Sequence, residues 1–564
     1  MFRAKGLSAL LVGVGMLAAA CAGPGGRAST EIPFSARSWP EAESTTCSKD
    51  AAGNPIPGLA RIVAESELQV RFELCAPDAA FLGKLALSNF SINDTGYLKA
   101  HTADGTISEA PNGTGPFKFQ AWEHGTQLLL SRNDNYWGDP AKSKSVVFQW
   151  QAEASGRLLA LRAGTADVVS NVAPSDYAEI LANPQLRLVE RDPLAVSMIT
   201  LNNNFEPFDD VRVRRAVALG IDRQRLVDAF YPAGSSVATH LTPCTIPLAC
   251  GGEDWYPFDP VEAKRLLAAA GYPKGFKTTM TLIDAVSTHT PFPIDIATDL
   301  QAQLKEIGID ITINIVDRAT YVATVNAGTV SGLVRGGFNA DYPDPSNFLS
   351  YYFLPDGGAN KRIGTTDPKI VAALRAAGAT ADPTERARRY AQANDEIKRT
   401  VAAIPLVHAA SAAAYQADIT GYQASPFELE RIAEMSAAGR DRLVWILAEE
   451  PTGLYCADEA NSETFRVCSQ IFEGLYGFNV GSSEVSPLLA TGCVQADNLL
   501  SWTCTLRTGV HFQQGEAFDA GDVLDSFASV WDCAHPYHKG RLSIFANAAM
   551  LSPFLHPELC TASE

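Results

Sequence analysis

The residues with the clearest chemistry in this 564-residue sequence are its eleven cysteines. Cys21 follows an apolar stretch, residues 6–20, which is preceded by Arg3 and Lys5. This arrangement predicts that residues 1–21 are a lipoprotein signal peptide, with Cys21 as the acylated residue, and that residues 22–31 are a flexible tether. The stretch is too short to span a bilayer comfortably. Plain secretion and an uncleaved anchor are the alternatives.

The ten other cysteines are an even number in a chain predicted to be exported, which indicates disulfides. Proximity along the chain suggests five local pairs: Cys47–Cys75, Cys244–Cys250, Cys456–Cys468, Cys493–Cys504 and Cys533–Cys560. A thiolate metal site is the alternative, but the CxxC spacing typical of such sites is absent.

The remaining reactive side chains form no recognisable catalytic set. Nucleophile-elbow, P-loop and HExxH motifs are absent, and the nine histidines are scattered. His535 and His538 are the only close pair, and an exposed loop explains them more simply than a metal site does. We therefore expect no enzyme activity, no metal and no cofactor.

Charge and composition narrow the class of partner. The net charge of −18 argues against a nucleic-acid partner, which requires clustered Lys and Arg. It suits an extracytoplasmic protein, although simple solubility explains it equally well. With 46% hydrophobic residues the chain can bury a large core, and its length suggests about three to four domains.

Local patterns predict an α/β architecture. Asp259 followed by Pro260 and Glu262 is typical of a helix start, and Asp382-Pro383 repeats that pattern. Apolar residues at helical spacing over 296–307 end at a glycine, and residues 309–315 then alternate strictly between apolar and polar. A helix that feeds a strand through a glycine corner favours layered α/β structure.

Eight motifs together resemble one family. They are a strand at 443–447, QIFEGLY at 470–476, LRTGVHF at 506–512, FDAGDV at 518–523, GTGPF at 113–117, RNDNYWG at 132–138, LNNN followed by PFDDVRVRRA at 201–216, and FNADYPDP at 338–345. In cyclic order these resemble the family 5 extracellular solute-binding proteins, the oligopeptide- and dipeptide-binding components of ABC importers. Any single motif would be weak evidence.

The resemblance implies a two-lobed periplasmic-binding-protein fold, class II-like, with a third small domain. Mapped onto this sequence, lobe I takes residues 146–240 plus 411–485, and lobe III takes 241–410. The small domain II takes 32–145 plus 486–564.

The order of the motifs is rotated relative to the family. The segment that resembles the family's beginning, 443–530, comes last here, and residues 32–430 resemble the rest. This order predicts a circular permutation, with the small polar segment 434–440 joining the family's usual ends. An aberrant gene product from misassembly or a broken duplication is the alternative.

The resemblance also suggests ligand-binding residues. Asp341 stands where the family places the acid that holds a peptide ammonium, although a turn-capping role is an ordinary alternative. Phe338 would wall the first side-chain pocket, with an ordinary apolar strand residue as the alternative, and Asn339 lies in the same loop. An arginine at the position of Arg335 can meet the ligand carboxylate, and a solvated or internally paired arginine is the alternative. His408 is expected to be structural.

A second segment, residues 473–475, resembles the family's strand for pairing with the ligand backbone. Glu473 would accept a hydrogen bond from the ligand or pair with an arginine, while Gly474 would let the ligand approach closely and Leu475 would continue the strand. A tight strand bend is the alternative explanation of Gly474.

The sequence thus predicts a monomeric, lipid-anchored, extracytoplasmic protein that captures oligopeptides between two lobes and delivers them to the permease subunits of an ABC transporter. The same fold with a different cargo, such as an oligosaccharide, an opine or a nickel chelate, is the nearest alternative. A sensor or adhesin that has lost transport is the alternative from another class.

Overall fold

The computed structural model describes residues 34–41, 47–49, 53–538 and 551–560. Within this part of the chain the strands are β1 (Arg37–Trp39), β2 (Leu59–Ser66), β3 (Gln69–Leu74), β4 (Phe117–Glu123), β5 (Gln127–Arg132), β6 (Ser145–Trp150), β7 (Val168–Val169), β8 (Leu186–Leu201), β9 (Ser236–Val237), β10 (Phe276–Ile283), β11 (Ile309–Val316), β12 (Leu333–Asn339), β13 (Ala403–Gln416), β14 (Ile419–Thr420), β15 (Ser436–Ala437), β16 (Arg442–Leu447), β17 (Tyr476–Phe478), β18 (Val485–Pro487), β19 (Ala490–Gln495) and β20 (Ser501–Leu506).

The helices of the same part are α1 (Phe81–Lys84), α2 (Thr95–His101), α3 (Thr106–Glu109), α4 (Ala154–Arg162), α5 (Tyr177–Ala182), α6 (Val211–Leu219), α7 (Arg223–Phe230), α8 (Pro260–Ala269), α9 (Pro293–Glu306), α10 (Arg318–Tyr321), α11 (Ser346–Phe353), α12 (Asn360–Ile363), α13 (Pro368–Gly378), α14 (Pro383–Thr400), α15 (Ser462–Ile471) and α16 (Ala520–Trp531).

The helix starts follow the predicted capping chemistry. The Asp259 side chain accepts a hydrogen bond from the Glu262 amide, and Pro260 occupies the first turn of α8. Asp382 caps α14 by accepting a hydrogen bond from the Thr384 amide, and Pro383 occupies the first turn. Helix α9 leads into β11, as the pattern over 296–315 predicts. Strand β11 pairs in parallel with β10, so this unit is a β-α-β crossover.

One mixed sheet runs through both lobes in the order β11-β10-β12-β8-β13-β7-β16-β6-β5-β4, and β9 pairs with β13 beside it. The long antiparallel strands β8 and β13 lie in its middle and are shared by both halves. Each half covers its own hydrophobic core. One core is built on β10, β11 and β12 with helices α6, α8 and α9, and the other on β4, β5, β6 and β16 with α15. The structure is therefore the two-lobed α/β arrangement that the sequence predicts.

A smaller sheet has the order β1-β2-β3-β20-β19, so it combines strands from the two ends of the described chain. Helix α16 packs on it, with the rings of Phe72 and Phe527 centred 5.0 Å apart. Strand β16, from the C-terminal third, likewise pairs with β6 and β7 in the large sheet. The C-terminal segment is thus built into both sheets.

Two details differ from the predicted domain bounds. Strands β4 and β5 belong to the large sheet, although the predicted segment 32–145 would place them in the small domain. Helices α6 and α7 pack with the second-lobe core, although the predicted boundary at 240 assigns them to lobe I. The reason is that the chain already crosses between the lobes along β8 and returns along β13.

All five predicted disulfides are present in the structure: Cys47–Cys75, Cys244–Cys250, Cys456–Cys468, Cys493–Cys504 and Cys533–Cys560. Two groups, His240 with the Cys244–Cys250 pair and His538 with the Cys533–Cys560 pair, have the proximity of metal ligands. Their cysteines are oxidised in disulfides, so they offer no thiolate to a metal. In the described residues, no helix combines the length and the apolar composition needed to cross a membrane. The predicted signal peptide, including Cys21, and the tether lie outside the described residues.

Candidate functional site

A cavity of about 180 Å³ lies between the two lobes. Its walls come from the end of β12 and the loop after it, from β8 and β13, from the loop before β15, from α15, and from residues 87–89. The Phe427 and Phe478 rings stack 4.1 Å apart in its wall. A ligand in this cavity would touch both lobes at once, which is what closure around a ligand requires.

Asp341 lies in this cavity, two residues beyond Asn339, where β12 ends. Its position is fixed by Asn347, whose side chain donates a 3.0 Å hydrogen bond to one carboxylate oxygen and accepts a 2.7 Å bond from the Asp341 amide. Burial raises the pKa of Asp341 to about 6. Asn347 is the one side-chain donor to this carboxylate within the described part, so Asp341 retains capacity to accept bonds from a ligand.

Asn339 also lines the cavity, and its side-chain oxygen lies 2.9 Å from Nδ1 of His289. Phe338 points to the other face of β12, as strand alternation requires. Its ring packs against Tyr351, at a centroid distance of 5.0 Å, and against Phe348, at 5.2 Å. The cavity wall includes Asn339 but not Phe338, so Phe338 supports the loop of Asp341 from behind rather than forming the predicted pocket wall.

Arg335 is buried, with 2% of its surface exposed, and it lines neither this cavity nor a second one that adjoins it. Its Nη2 donates three long hydrogen bonds, of 3.4–3.5 Å, to Tyr231, Ser197 and the His289 carbonyl. Its Nε has no partner, and no carboxylate lies within ion-pair distance in the described part of the chain. The predicted contact of Arg335 with a ligand carboxylate would therefore require the residues around its guanidinium to move.

Glu473 borders a second cavity of about 100 Å³. Its buried carboxylate accepts hydrogen bonds from Thr114 (2.8 Å), from the Tyr136 hydroxyl (2.6 Å) and from the Trp137 indole (2.8 Å). Burial raises the pKa of Glu473. A ligand would have to compete with three internal donors, so the geometry favours a structural role for this carboxylate over the predicted ligand contact.

The backbone next to Glu473 is also occupied internally. The carbonyls of Glu473, Gly474 and Leu475 accept hydrogen bonds from the amides of Ile92, Leu489 and Leu488, respectively. A side chain on Gly474 would approach the Leu85 carbonyl to 3.0 Å, so the close neighbour that favours glycine here is the protein's own backbone. Leu475 is fully buried. This segment therefore has no free carbonyl with which a ligand strand could pair.

Comparisons with known proteins agree with this architecture. Residues 33–360, more than half of the chain, match the family described as bacterial extracellular solute-binding proteins, family 5 middle. The chain belongs to this family. Proteins of family 5 are extracytoplasmic. The lobed α/β fold of this chain is that of the periplasmic binding proteins to which it is similar.

Relatives of this family 5 protein match about two thirds of the chain at between a quarter and a third identity. Heme-binding protein A of Haemophilus influenzae is 29% identical over 376 residues, 66% of this chain and 68% of the relative. Di/tripeptide-binding protein 1 of Pseudomonas aeruginosa is 27% identical over 391 residues, 67% of this chain and 71% of the relative. The periplasmic binding protein DppA of Helicobacter pylori, solved with the peptide STSA, superposes with a TM-score of 0.57 at 26% identity, covering 65% of this chain and 72% of that one.

The sequence gives no indication that several other residues line the cavity between the lobes. Asp192 and Glu428 line it together with Asp341, and its described lining includes no lysine, arginine or histidine. Glu428 accepts hydrogen bonds from Thr288 (3.1 Å) and Ser411 (3.2 Å). These residues come from distant parts of the chain, and only the left-handed backbone of Glu428, with φ of 62°, sets one apart locally. Glu428 also lies 3.6 Å from Nη2 of Arg466, so Asp341 and Asp192 are the acids that make the cavity suit a cationic group.

The second cavity shares Leu87, Ser88, Leu429 and Phe478 with the first, so the two adjoin. Arg431 lines the second cavity and is exposed. His408 lies in neither lining; it is buried in β13, with its Nε2 2.9 Å from the His240 carbonyl. Burial lowers the pKa of His408 to about 4, in keeping with the structural role expected for it.

Proposed function

We propose that this protein captures short peptides in the cavity between its lobes and delivers them to the permease subunits of an ABC transporter. Relatives named for dipeptides and tripeptides support this cargo. The observation that carries the proposal is the Asp341 carboxylate, which faces the cavity with one internal donor and two further acids nearby. A peptide ammonium would complete its hydrogen bonding.

The proposed mechanism is closure of the lobes around the peptide. Strands β8 and β13 connect the two halves of the large sheet, so bending along them would change the angle between the lobes. A ligand that touches Asp341 on one lobe and the Phe427–Phe478 pair on the other would bind the closed state better than the open one. Such binding and release involve no covalent step, and we propose no enzyme activity.

Calorimetry with matched peptides tests the cargo. Triglycine should bind, whereas N-acetyl-triglycine should bind more weakly by about ten- to a hundredfold, since a charge-assisted hydrogen bond contributes about 1.5–3 kcal/mol. Asp341→Asn should remove most of this difference. Asp310→Asn is the matched control, because Asp310 is exposed on β11, outside both cavities.

Two results would reject the peptide proposal. One is the absence of binding by any member of a mixed peptide library alongside clear binding of a sugar, a metal chelate or heme. The other is equal affinity of wild-type protein and Asp341→Asn for both forms of triglycine.

We propose that the chain is a circularly permuted member of its family. Three observations support this: the family match starts at residue 33, curated relatives cover about two thirds of the chain, and β16, which resembles the family's first strand, pairs between β6 and β7. The predicted domain pieces, with the two adjustments described above, belong to this proposal.

Reordering the chain tests the permutation. A variant opened between Gly439 and Arg440, with residue 564 joined to residue 32 by a Gly/Ser linker, should fold and bind triglycine with unchanged Kd. Gly439 lies in an exposed turn with φ of 73°, the kind of position at which chain openings are best tolerated. A folded reordered chain that has lost binding would contradict a permuted origin of the site.

We propose that the mature protein is a monomer anchored to the membrane through lipid on Cys21. The apolar stretch before Cys21 and the tether after it support this. Mass spectrometry of the membrane fraction should find a diacylglyceryl group on Cys21, and Cys21→Ser should abolish both that modification and membrane retention. An unmodified Cys21 in membrane-bound protein would contradict the proposal.

A further inference from the structure

Strand β8 carries a bulge in the wall of the cavity between the lobes. On the neighbouring strand β13, Ala409 lies opposite Ala195 and Ser411 lies opposite Arg191, so β8 takes four steps where β13 takes two. The two extra residues fall within residues 192–194, and the proline among them has no amide to donate to a neighbouring strand. A bulge of this kind interrupts the strand's alternation and re-aims its side chains.

The bulge presents the Asp192 carboxylate to the cavity. Asp192 is exposed and lines the cavity, whereas the preceding Arg191 is buried and pairs with Glu430. Among the described residues the Asp192 side chain has no hydrogen-bond donor and no ion-pair partner. Its charge is therefore available to a ligand.

Asp192 and Asp341 lie on neighbouring segments of the cavity wall. The Leu194 carbonyl accepts a 2.8 Å hydrogen bond from the amide of Ala340, the residue before Asp341. Asp192 is two residues from this bond on one segment, and Asp341 is one residue from it on the other. Diagonal neighbours on adjacent strands lie about 7–8 Å apart, a distance that a long side chain spans. A ligand bound at Asp341 therefore has Asp192 close to its first side chains.

The loop closed by the Cys244–Cys250 disulfide braces the bulge. Thr245, inside this loop, donates a 2.5 Å hydrogen bond from its hydroxyl to the Pro193 carbonyl. The bulge is thus held through its backbone, and Asp192 keeps its position without using its own carboxylate.

The acids of the cavity outnumber the positive charge of a simple peptide. Asp341 and Asp192 have no cation within ion-pair distance in the described chain, whereas Glu428 lies near Arg466. The ammonium of a peptide would neutralise Asp341 alone. A second cation would neutralise Asp192, and three phenylalanines in the lining offer apolar surface to the methylene groups of a basic side chain. The cavity therefore suits a ligand with two positive charges.

We propose that Asp192 determines specificity for peptides that carry a lysine or arginine side chain at their first or second residue. This inference rests on the proposed function and adds a charge preference to it. The peptide's ammonium would lie at Asp341, and the basic side chain would extend along the bulge to the Asp192 carboxylate. Because Asp192 is exposed at the edge of the cavity, the contact selects among peptides and supplies a small part of their affinity.

Calorimetry with lysine and norleucine peptides tests this preference, because norleucine has the methylene groups of lysine without the ammonium. Lys-Gly-Gly or Gly-Lys-Gly should bind wild-type protein about three- to tenfold more tightly than its norleucine counterpart. Asp192→Asn should abolish the preference through weaker binding of the lysine peptide, and Asp192→Glu should retain part of it. Glu190→Gln is the matched control, since it removes a charge from an exposed position of the same strand outside both cavities.

The same measurements separate a failure of this inference from a failure of the proposed function. Asp341→Asn should weaken the lysine and norleucine peptides alike and keep the preference between them. Equal affinity of wild-type protein for both peptides, persistence of the preference in Asp192→Asn, or its equal loss in Glu190→Gln would overturn the role of Asp192 while leaving peptide binding intact. Absence of triglycine binding to wild-type protein would instead reject the proposed function.

Discussion

Two regions of the molecule bury arginine to the same extent and treat it in opposite ways. Arg466 on α15 is fully buried, with ion pairs to Glu430 and Glu463, and Arg191 on β8 pairs with Glu430 at 2.5 Å. Arg335 on β12 is 2% exposed and meets no carboxylate within ion-pair distance in the described chain. In the first region the buried arginines form ion pairs that hold the structure together. In the second, the guanidinium of Arg335 has no ion-pair partner among the described residues.

The pKa values of Glu430 and Asp341 differ in the same way, according to whether a buried carboxylate has a cation beside it. Burial alone would raise the pKa of Glu430, but the charges of Arg191 and Arg466 lower it below its usual range. Asp341 has no such cation beside it, and burial raises its pKa to about 6. The acids of the arginine cluster, including Glu428 at the edge of the cavity, are paired with a cation, whereas Asp341 inside the cavity is not paired with one in the described chain.

The largest expected effect lies in the neutralised cluster. Arg466→Met should destabilise the protein by about 3–5 kcal/mol, because it leaves Glu430 and Glu463 buried with less compensation. Denaturant unfolding measures this change. Arg442→Met, at an exposed position of β16, should change the free energy of unfolding by less than about 0.5 kcal/mol. Equal effects of the two substitutions would remove the distinction.

The opposite sign is expected at Arg335. Arg335→Met should stabilise the ligand-free protein, by about 1–3 kcal/mol, since it removes a buried cation that lacks a partner. The same unfolding experiment measures it. A loss of stability comparable to that of Arg466→Met would mean that Arg335 supports the fold, and the contrast between the two regions would fail.

Glu473 is an intermediate case, because its carboxylate accepts hydrogen bonds from three neutral donors and forms no ion pair in the described chain. Glu473→Gln should cost about 1–3 kcal/mol, since an amide cannot accept all three hydrogen bonds. Its affinity for triglycine should stay as in wild-type protein. A large loss of affinity with little loss of stability would assign the Glu473 carboxylate to the ligand after all.

The smallest expected effect is a dependence of binding on pH. Asp341 must be ionised to hold an ammonium, and its folded pKa of about 6 lies above the ordinary 3.8, so affinity should fall as pH drops below about 6. Binding near pH 6 should release protons, because the ligand's charge lowers this pKa. Calorimetry in two buffers of different ionisation enthalpy measures the release. Asp192 and Glu428 share the cavity, so Asp341→Asn is the control that should lose the effect.

The sequence predicts much of this fold because the relevant signals are local. The Asp259-Pro260 helix start and the alternation over 309–315 need no knowledge of distant contacts. The disulfides follow because each pair lies close along the chain. Asp341 could be placed because its loop carries a recognisable motif, and the structure puts it in the interlobe cavity.

What the sequence misses depends on contacts across hundreds of residues. The Glu473 carboxylate accepts hydrogen bonds from Thr114, Tyr136 and Trp137, more than 330 positions away along the chain. No local sequence pattern predicts these donors. The position of the His289 ring, which packs on Gly337 two residues from Arg335, is also not predictable, because His289 comes from a distant loop. Helices α6 and α7 join the second lobe because β8 crosses the molecule, which depends on the pairing of β8 with β13.

A crystal structure of the protein with triglycine tests the central claim most directly. The account predicts peptide density between the lobes, with the terminal nitrogen about 2.7–2.9 Å from the Asp341 carboxylate. Density at any other surface, or a neutral group of the ligand against Asp341, would contradict it.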